Sequence, residues 1–142
     1  MPANGALYIQ HSTIDLSDVF EDVKSDKGRV KKPTFFDVGL GGDVVRFNVM
    51  DSDLVPAHVN GLLGYISSRV RDPGDRENIC HAIRHTHIVL GLATDKEFEE
   101  NPAVWESLFT IADAYDGFVF TYDSLLLPNG AVLLGPLMED VP

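Results

Sequence analysis

Three histidines and one cysteine lie close together in the chain and form its densest group of side chains that could do chemistry. They are Cys80, His81, His85 and His87. His81 and His85 are four residues apart, so a helix through this segment would place both imidazoles on one face, where they could chelate zinc or another transition metal. The sequence therefore predicts a candidate zinc site at His81, His85 and His87, and no other cofactor is expected.

Two features of the same segment oppose a metal site. The glutamate of the His-Glu-x-x-His zinc motif is missing, and Arg84 would place a positive charge beside a bound cation. Further ligands would have to come from Cys80, Asp51, Asp53 or a more distant residue. The plainer interpretation, which we favour, is that these are ordinary half-buried or surface histidines at a junction between a helix and a strand.

Cys80 is the single cysteine of the chain. A thiolate activated by a histidine would be a nucleophile, but neighbours on a helix such as Cys80 and His81 point about 100° apart. We expect instead a small buried cysteine in the core, and we assign no catalytic residue. One cysteine cannot form an internal disulfide and is normal in a reducing compartment, so the cytoplasm is the expected location.

Other polar clusters have structural interpretations. Asp51 and Asp53 precede a predicted helix and are expected to cap it. The glycines of segment 39–42 resemble a phosphate-binding loop, but they lie between two predicted strands and no Lys-Ser/Thr pair follows them. The five basic residues of segment 24–32 are expected to form a solvated connector rather than an anion site.

The chain as a whole is strongly acidic. Its 142 residues include 22 Asp and Glu against 11 Lys and Arg, which gives a formal net charge of -11. Such a charge repels phosphate backbones, so nucleic acid is not an expected partner. An acidic surface serves either solubility or the docking of a basic protein partner, and only a binding experiment separates the two.

Length and composition indicate one domain. Hydrophobic residues make up 44% and charged residues 23%, as in ordinary globular proteins. The apolar stretches are far shorter than the roughly 20 residues that cross a bilayer, and no secretory signal is recognisable. We expect a single domain over 1–142 and no membrane partner. Within it, 1–33 is an N-terminal strand, helix and basic loop, 34–137 is the main sheet-and-helix core, and 138–142 is a tail.

Hydrophobic periodicity predicts the elements of this domain. Strands are expected over 7–11, 34–38, 44–50, 87–94, 117–123 and 131–134, and apolar residues recur at helical spacing over 16–23, 55–70, 79–83 and 104–115. The nearly continuous apolar strand at 87–94 is expected at the centre of a sheet. Helices packed on one face of a mainly antiparallel sheet would bury these stripes, which predicts an α+β two-layer sandwich, ferredoxin-like or related.

Part of the chain resembles a known class of domains. Segment 87–134 combines an apolar strand, an aromatic helix that begins at Asn101 and Pro102, the strand at 116–120 and the turn at 128–130. In this it resembles uncharacterised bacterial domains found in polymorphic toxin and immunity neighbourhoods, over about a third of the chain. The resemblance implies an accessory or immunity-type role, and it carries over no catalytic residue.

Three functional hypotheses follow. The favoured one is a non-enzymatic interaction domain whose acidic surface engages a protein partner, possible examples being a basic toxin or nuclease. It predicts binding that weakens with salt. The second is a small metal-dependent enzyme built around His81, His85 and His87 with a nearby carboxylate as base, and it predicts loss of metal binding in His85→Ala. The third is a structural or regulatory domain that acts as a homodimer.

Overall fold

The computed structural model describes residues 3–26 and 32–139. The strands are β1 (Ala6–Ile9), β2 (Val23–Ser25), β3 (Phe35–Leu40), β4 (Asp43–Val49), β5 (Ile88–Ala93), β6 (Gly117–Thr121), β7 (Ser124–Leu126) and β8 (Val132–Leu134). The helices are α1 (Val55–Arg69), α2 (Pro73–Arg84), α3 (Pro102–Ala114) and the single turn α4 (Pro136–Glu139), and 3₁₀ turns lie at Leu16–Asp18 and Phe98–Glu100. Within the described part of the chain, none of the helices combines the length and the apolar character needed to cross a membrane.

The eight strands in the described part of the chain form one antiparallel sheet in the order β2-β3-β4-β5-β1-β6-β7-β8. The first strand of the chain lies inside the sheet, where Leu7 faces Leu90 of β5 on one side and Val119 of β6 on the other. β5 lies between β1 and β4, in the central position expected for it. The predicted α+β class with a mainly antiparallel sheet is confirmed.

The helices divide between the two faces of this sheet. Successive residues of a strand point to opposite faces. Leu7 and Ile9 of β1 pack in one hydrophobic cluster with α3, whereas Tyr8 between them packs in a second cluster with α1 and α2. The expectation that the helices share one face therefore does not describe their placement. The reason is that the central strands are apolar at successive positions and must be covered on both sides.

The α3 layer comprises residues 11–22 and 95–116, whose buried Leu16 and Phe98 belong to the same cluster as α3. The α1/α2 layer comprises residues 55–84 and contacts the opposite face, for example through a 2.9 Å hydrogen bond from Gln10 Nε2 to the carbonyl oxygen of Ala82. The α1/α2 layer does not cover the whole of its face. At β4 this face is exposed to solvent, where Val44 is 71% exposed.

The N-terminal segment differs from expectation. The helix predicted over 16–23 is a single 3₁₀ turn, and Val23 instead starts β2, where it faces Val38 of β3. A helix of two turns forms few backbone hydrogen bonds, whereas a β-branched residue such as Val23 fits a pleated edge strand. Of the predicted basic connector, residues 27–31 lie outside the described part. The predicted tail is described only as far as Glu139, which ends α4.

Two tight turns shape the hairpins. Between β3 and β4 the chain turns through Gly41 and Gly42, whose φ angles of 58° and 89° lie in the left-handed region that glycine adopts freely. Between β6 and β7 the corresponding positions are Tyr122 and Asp123, with φ of 52° and 57°. The strand predicted over 117–123 therefore ends at Thr121, and its last two residues form the turn that leads into β7.

The cap of α1 also differs from prediction. The N-cap of α1 is Leu54, which makes no side-chain cap bond, so the prediction that Asp51 and Asp53 cap this helix is wrong. The Asp51 side chain instead accepts a 3.0 Å hydrogen bond from the backbone N–H of Asp53, in a turn that precedes the helix. At α2 the cap is Asp72, which accepts from the N–H of Asp75 at 2.8 Å.

Candidate functional site

His81 of α2 and His85, the C-cap residue of that helix, lie on its exposed side, one turn apart. Their Nε2 atoms are 3.3 Å apart, and the rings cross at 82° with centroids 4.8 Å apart. The prediction that the four-residue spacing brings both imidazoles to one face is therefore confirmed. Cys80 points the other way and is 4% exposed, which confirms a cysteine in the core.

The third histidine lies elsewhere. The backbone N–H of His87 donates to the carbonyl oxygen of Ile9 at 2.8 Å, at the edge where β5 begins, and its side chain lines a cleft. Among residues 3–26 and 32–139, no group of three or more His, Cys, Asp or Glu side chains is placed to hold a metal ion. The structure thus brings together two of the three predicted ligands.

The cleft beside His87 has a volume of about 640 Å³. The cleft lies at the end of the sheet where β1 and β4 end and β3 and β5 begin. These four strands are neighbours and antiparallel, so these four ends lie side by side. The apolar wall consists of Ile14, Phe36, Val49, Met50 and Ile88, and the polar groups are those of Ser12, Thr13, Lys32, Thr34, Asp51, Ser52 and His87. An apolar wall with a few hydrogen-bonding groups is typical of sites for small molecules.

Sequence reasoning missed this cleft. The sequence relates Asp51 to a helix cap or a metal site and His87 to a metal site, and no pattern connects either of them with Ser12 or Thr34. The cleft is assembled from four separate segments of the chain, so only the order of the strands brings its walls together.

Negative charge is concentrated in the α3 layer. Residues 11–22 and 95–116 contain eleven Asp and Glu against one lysine, a net charge of -10. The α1/α2 layer contains four arginines against three Asp and Glu, a net charge of +1. Nearly all of the formal charge of -11 is therefore carried on one side of the sheet.

Most of these carboxylates face solvent. Nine of the eleven are exposed, namely Asp18, Glu21, Asp22, Asp95, Glu99, Glu100, Glu106, Asp113 and Asp116. The single lysine of the layer, Lys96, donates to Asp43 Oδ1 at 2.9 Å, and this hydrogen bond, with a second from Asn101, holds the pKa of the Asp43 carboxyl below its usual value. Lys96 is thus held by the β3–β4 hairpin and offsets little of the charge of the layer.

An aromatic cluster lies within the acidic surface. Trp105 of α3 packs against Phe98 and Phe109, with ring centroids 5.1 Å away in both cases. Tyr122, from the turn between β6 and β7, lies 5.8 Å from Phe98 and is 49% exposed. Trp105 and Phe109 are half-buried. Tryptophan and tyrosine in such positions are the residues that most often dominate binding energy at protein interfaces.

A buried tyrosine and a histidine join β1 to α1 on the other face. Tyr8 Oη lies 2.9 Å from His58 Nε2, and the two rings stack with centroids 5.6 Å apart. Burial raises the pKa of Tyr8 to about 12, so its hydroxyl stays protonated at neutral pH. This pair holds the sheet to the helix and is separate from the cleft, the histidine pair and the acidic layer.

No family model, curated protein or solved structure matches the chain. The resemblance of segment 87–134 to domains of toxin and immunity neighbourhoods stays a prediction.

Proposed function

We propose that this protein is a non-enzymatic binding domain whose α3 layer docks a basic protein partner, in the manner of an immunity protein that covers a basic toxin or nuclease. The observation that supports this proposal is the separation of charge between the two layers, -10 against +1. Acidic residues that served only solubility could be distributed over the whole surface of the protein. Confinement creates a directional field that steers an oppositely charged partner to one surface.

The aromatic cluster supplies the second element of such an interface. Exposed charges accelerate association and set orientation, but they contribute little to affinity once salt screens them. Trp105 and Tyr122 present aromatic surface next to Glu99 and Glu106. A partner steered by the carboxylates would therefore contact aromatic side chains whose apolar area can be buried in the interface. The proposal therefore assigns steering to the carboxylates and most of the binding energy to the aromatic residues.

The test uses two variants with the same net charge. One variant neutralises the α3 layer through Glu99→Gln, Glu106→Gln and Asp113→Asn. The matched control neutralises three exposed carboxylates elsewhere, through Asp53→Asn, Asp75→Asn and Glu77→Gln. Each variant loses three of the 22 acidic residues, so net charge alone cannot separate them.

Wild type and both variants are immobilised and used to capture proteins from lysate of the source cells. We expect a basic protein to be captured by the wild type and by the control, and to be captured more slowly and in smaller amount by the α3-layer variant. Its rate of association with the wild type should fall steeply as salt is raised. Equal capture by the two variants, or capture of proteins that are not basic, would contradict the proposal.

The metal-dependent enzyme receives less support. It depends on His81, His85 and His87 acting as one set, and the third of these lines the cleft instead of joining the other two. Of these three histidines, only His81 and His85 lie close enough together to bind one metal ion.

A further inference from the structure

The distance between the imidazoles of His81 and His85 matches the bite of a tetrahedral metal ion. Zinc bonds to histidine nitrogen at about 2.0–2.1 Å, and two such bonds at the tetrahedral angle place their nitrogens about 3.3–3.4 Å apart. The two Nε2 atoms are 3.3 Å apart. The spacing of the two Nε2 atoms therefore fits a zinc ion bound by both rings.

The charges around the pair tolerate a cation. Arg84 was an objection to metal binding in the sequence, but its Nη1 lies 3.4 Å from Glu77 Oε1 on the same helix. The carboxylate offsets the guanidinium charge, and both side chains are exposed and free to turn toward water. The pair itself is at the solvent-facing side of α2 and is open to an incoming ion.

Two ligands fill only half of the coordination shell of a tetrahedral zinc ion. The described residues offer no third His, Cys, Asp or Glu beside the pair. The distribution of charge indicates a source for the missing ligands. A second copy of the chain would be repelled at the α3 layer, with its net charge of -10, but not at the α1/α2 layer, with +1, which is where the pair lies.

We propose that one zinc ion is bound by His81 and His85 of two copies of this chain, so that the metal joins the α2 helices of a dimer. Four imidazole nitrogens complete the tetrahedral shell. In this arrangement both α3 layers face outward, and each remains available to a partner. The site is independent of the proposed binding function, since it lies on the opposite face of the sheet.

The experiment titrates the full chain with zinc chloride at physiological ionic strength and follows bound metal and native mass together. We expect half a zinc ion per chain, a doubling of mass, and reversal of both by EDTA. His81→Ala and His85→Ala should lose both responses, whereas the control His87→Ala should keep them. His81, His85 and His87 are all exposed, and circular dichroism checks that each variant is folded.

Three outcomes would overturn the proposal. They are absence of zinc binding by the wild type, one zinc ion per chain with no change in mass, and a zinc-dependent dimer that survives in His85→Ala. The α3-layer variant should dimerise like the wild type, so failure of the zinc site and failure of the acidic binding surface are separate results.

Discussion

Asn101 illustrates how a residue can occupy a predicted position and serve a different purpose there. It stands at the N-cap of α3, as its Asn-Pro sequence indicates, but its side chain makes no cap hydrogen bond. Nδ2 donates instead to the carbonyl oxygen of Leu40 at 2.7 Å and to Asp43 Oδ2 at 2.9 Å. The sequence identifies the position, but the partners lie on a hairpin about sixty residues earlier in the chain, beyond the reach of local rules.

Replacing Asn101 should therefore destabilise the protein by more than the loss of a cap. Asn101 is 5% exposed, so Asn101→Ala leaves the Leu40 carbonyl buried without that donor, at a cost of about 1–3 kcal/mol. Asn101→Asp keeps the shape but turns an oxygen toward two acceptors, and we expect a larger loss. Urea unfolding of the three proteins measures both differences, and an Asn101→Asp variant as stable as the wild type would contradict the assignment.

The histidine pair could be predicted from the sequence, whereas the cleft could not. The facing of His81 and His85 follows from their four-residue spacing, because helix geometry is local. The side chains of the cleft come from strand ends that are distant in sequence, so their convergence depends on pairing that periodicity does not reveal. Local spacing thus found the histidine pair and missed the cleft.

At the scale of elements, patterns of burial were the most reliable signal. β4 buries Val45 and Phe47 and exposes Arg46 and Asn48, in the alternation that its sequence predicts. The predictions failed where a segment was short or its turn unusual. The break at Tyr122 is one such case, because a tyrosine with positive φ is outside the turn chemistry that sequence rules recognise.

The glycines of α1 provide a test at this scale. Gly61 and Gly64 lie in the interior of α1, and a Cβ added at either position meets no atom within 4 Å. We expect Gly61→Ala and Gly64→Ala each to stabilise the protein by roughly 0.5–1 kcal/mol, because alanine favours the helix.

Gly135 provides the contrasting control. Its φ is +106°, and an added Cβ would lie 2.5 Å from the carbonyl oxygen of Asp123, so Gly135→Ala should destabilise. Urea midpoints of the three variants against wild type decide the matter. Destabilisation by the alanines in α1 would mean that this helix packs against something further.

At the scale of the whole molecule, the separation of charge was only half visible in the sequence. The run of carboxylates from Asp95 to Asp116 can be counted directly. That residues 11–22 join it on the same face follows from the fold, through contacts such as the 2.7 Å hydrogen bond from Tyr115 Oη to the carbonyl oxygen of Asp15. Composition gives the net charge, but only the fold shows on which face of the sheet the charge is concentrated.

A layer with eleven carboxylates and one lysine should repel itself in the folded state. We therefore expect the melting temperature to rise as sodium chloride is added, because salt screens this repulsion. The α3-layer variant should melt higher than the wild type at low salt and respond less to added salt, and the matched control should change less in both respects. Identical salt responses in all three proteins would argue against concentrated repulsion.

The position of β1 affects how the protein is made as well as how it is built. Ala6 pairs with Gly91 and with Phe120, so β1 leaves the ribosome well before either of the strands that flank it in the sheet. Contacts between residues so far apart in sequence slow folding. A nascent chain that has not yet reached β6 exposes an apolar strand with a free hydrogen-bonding edge. During translation, this protein should therefore depend on chaperones until the second half of its sheet is synthesised.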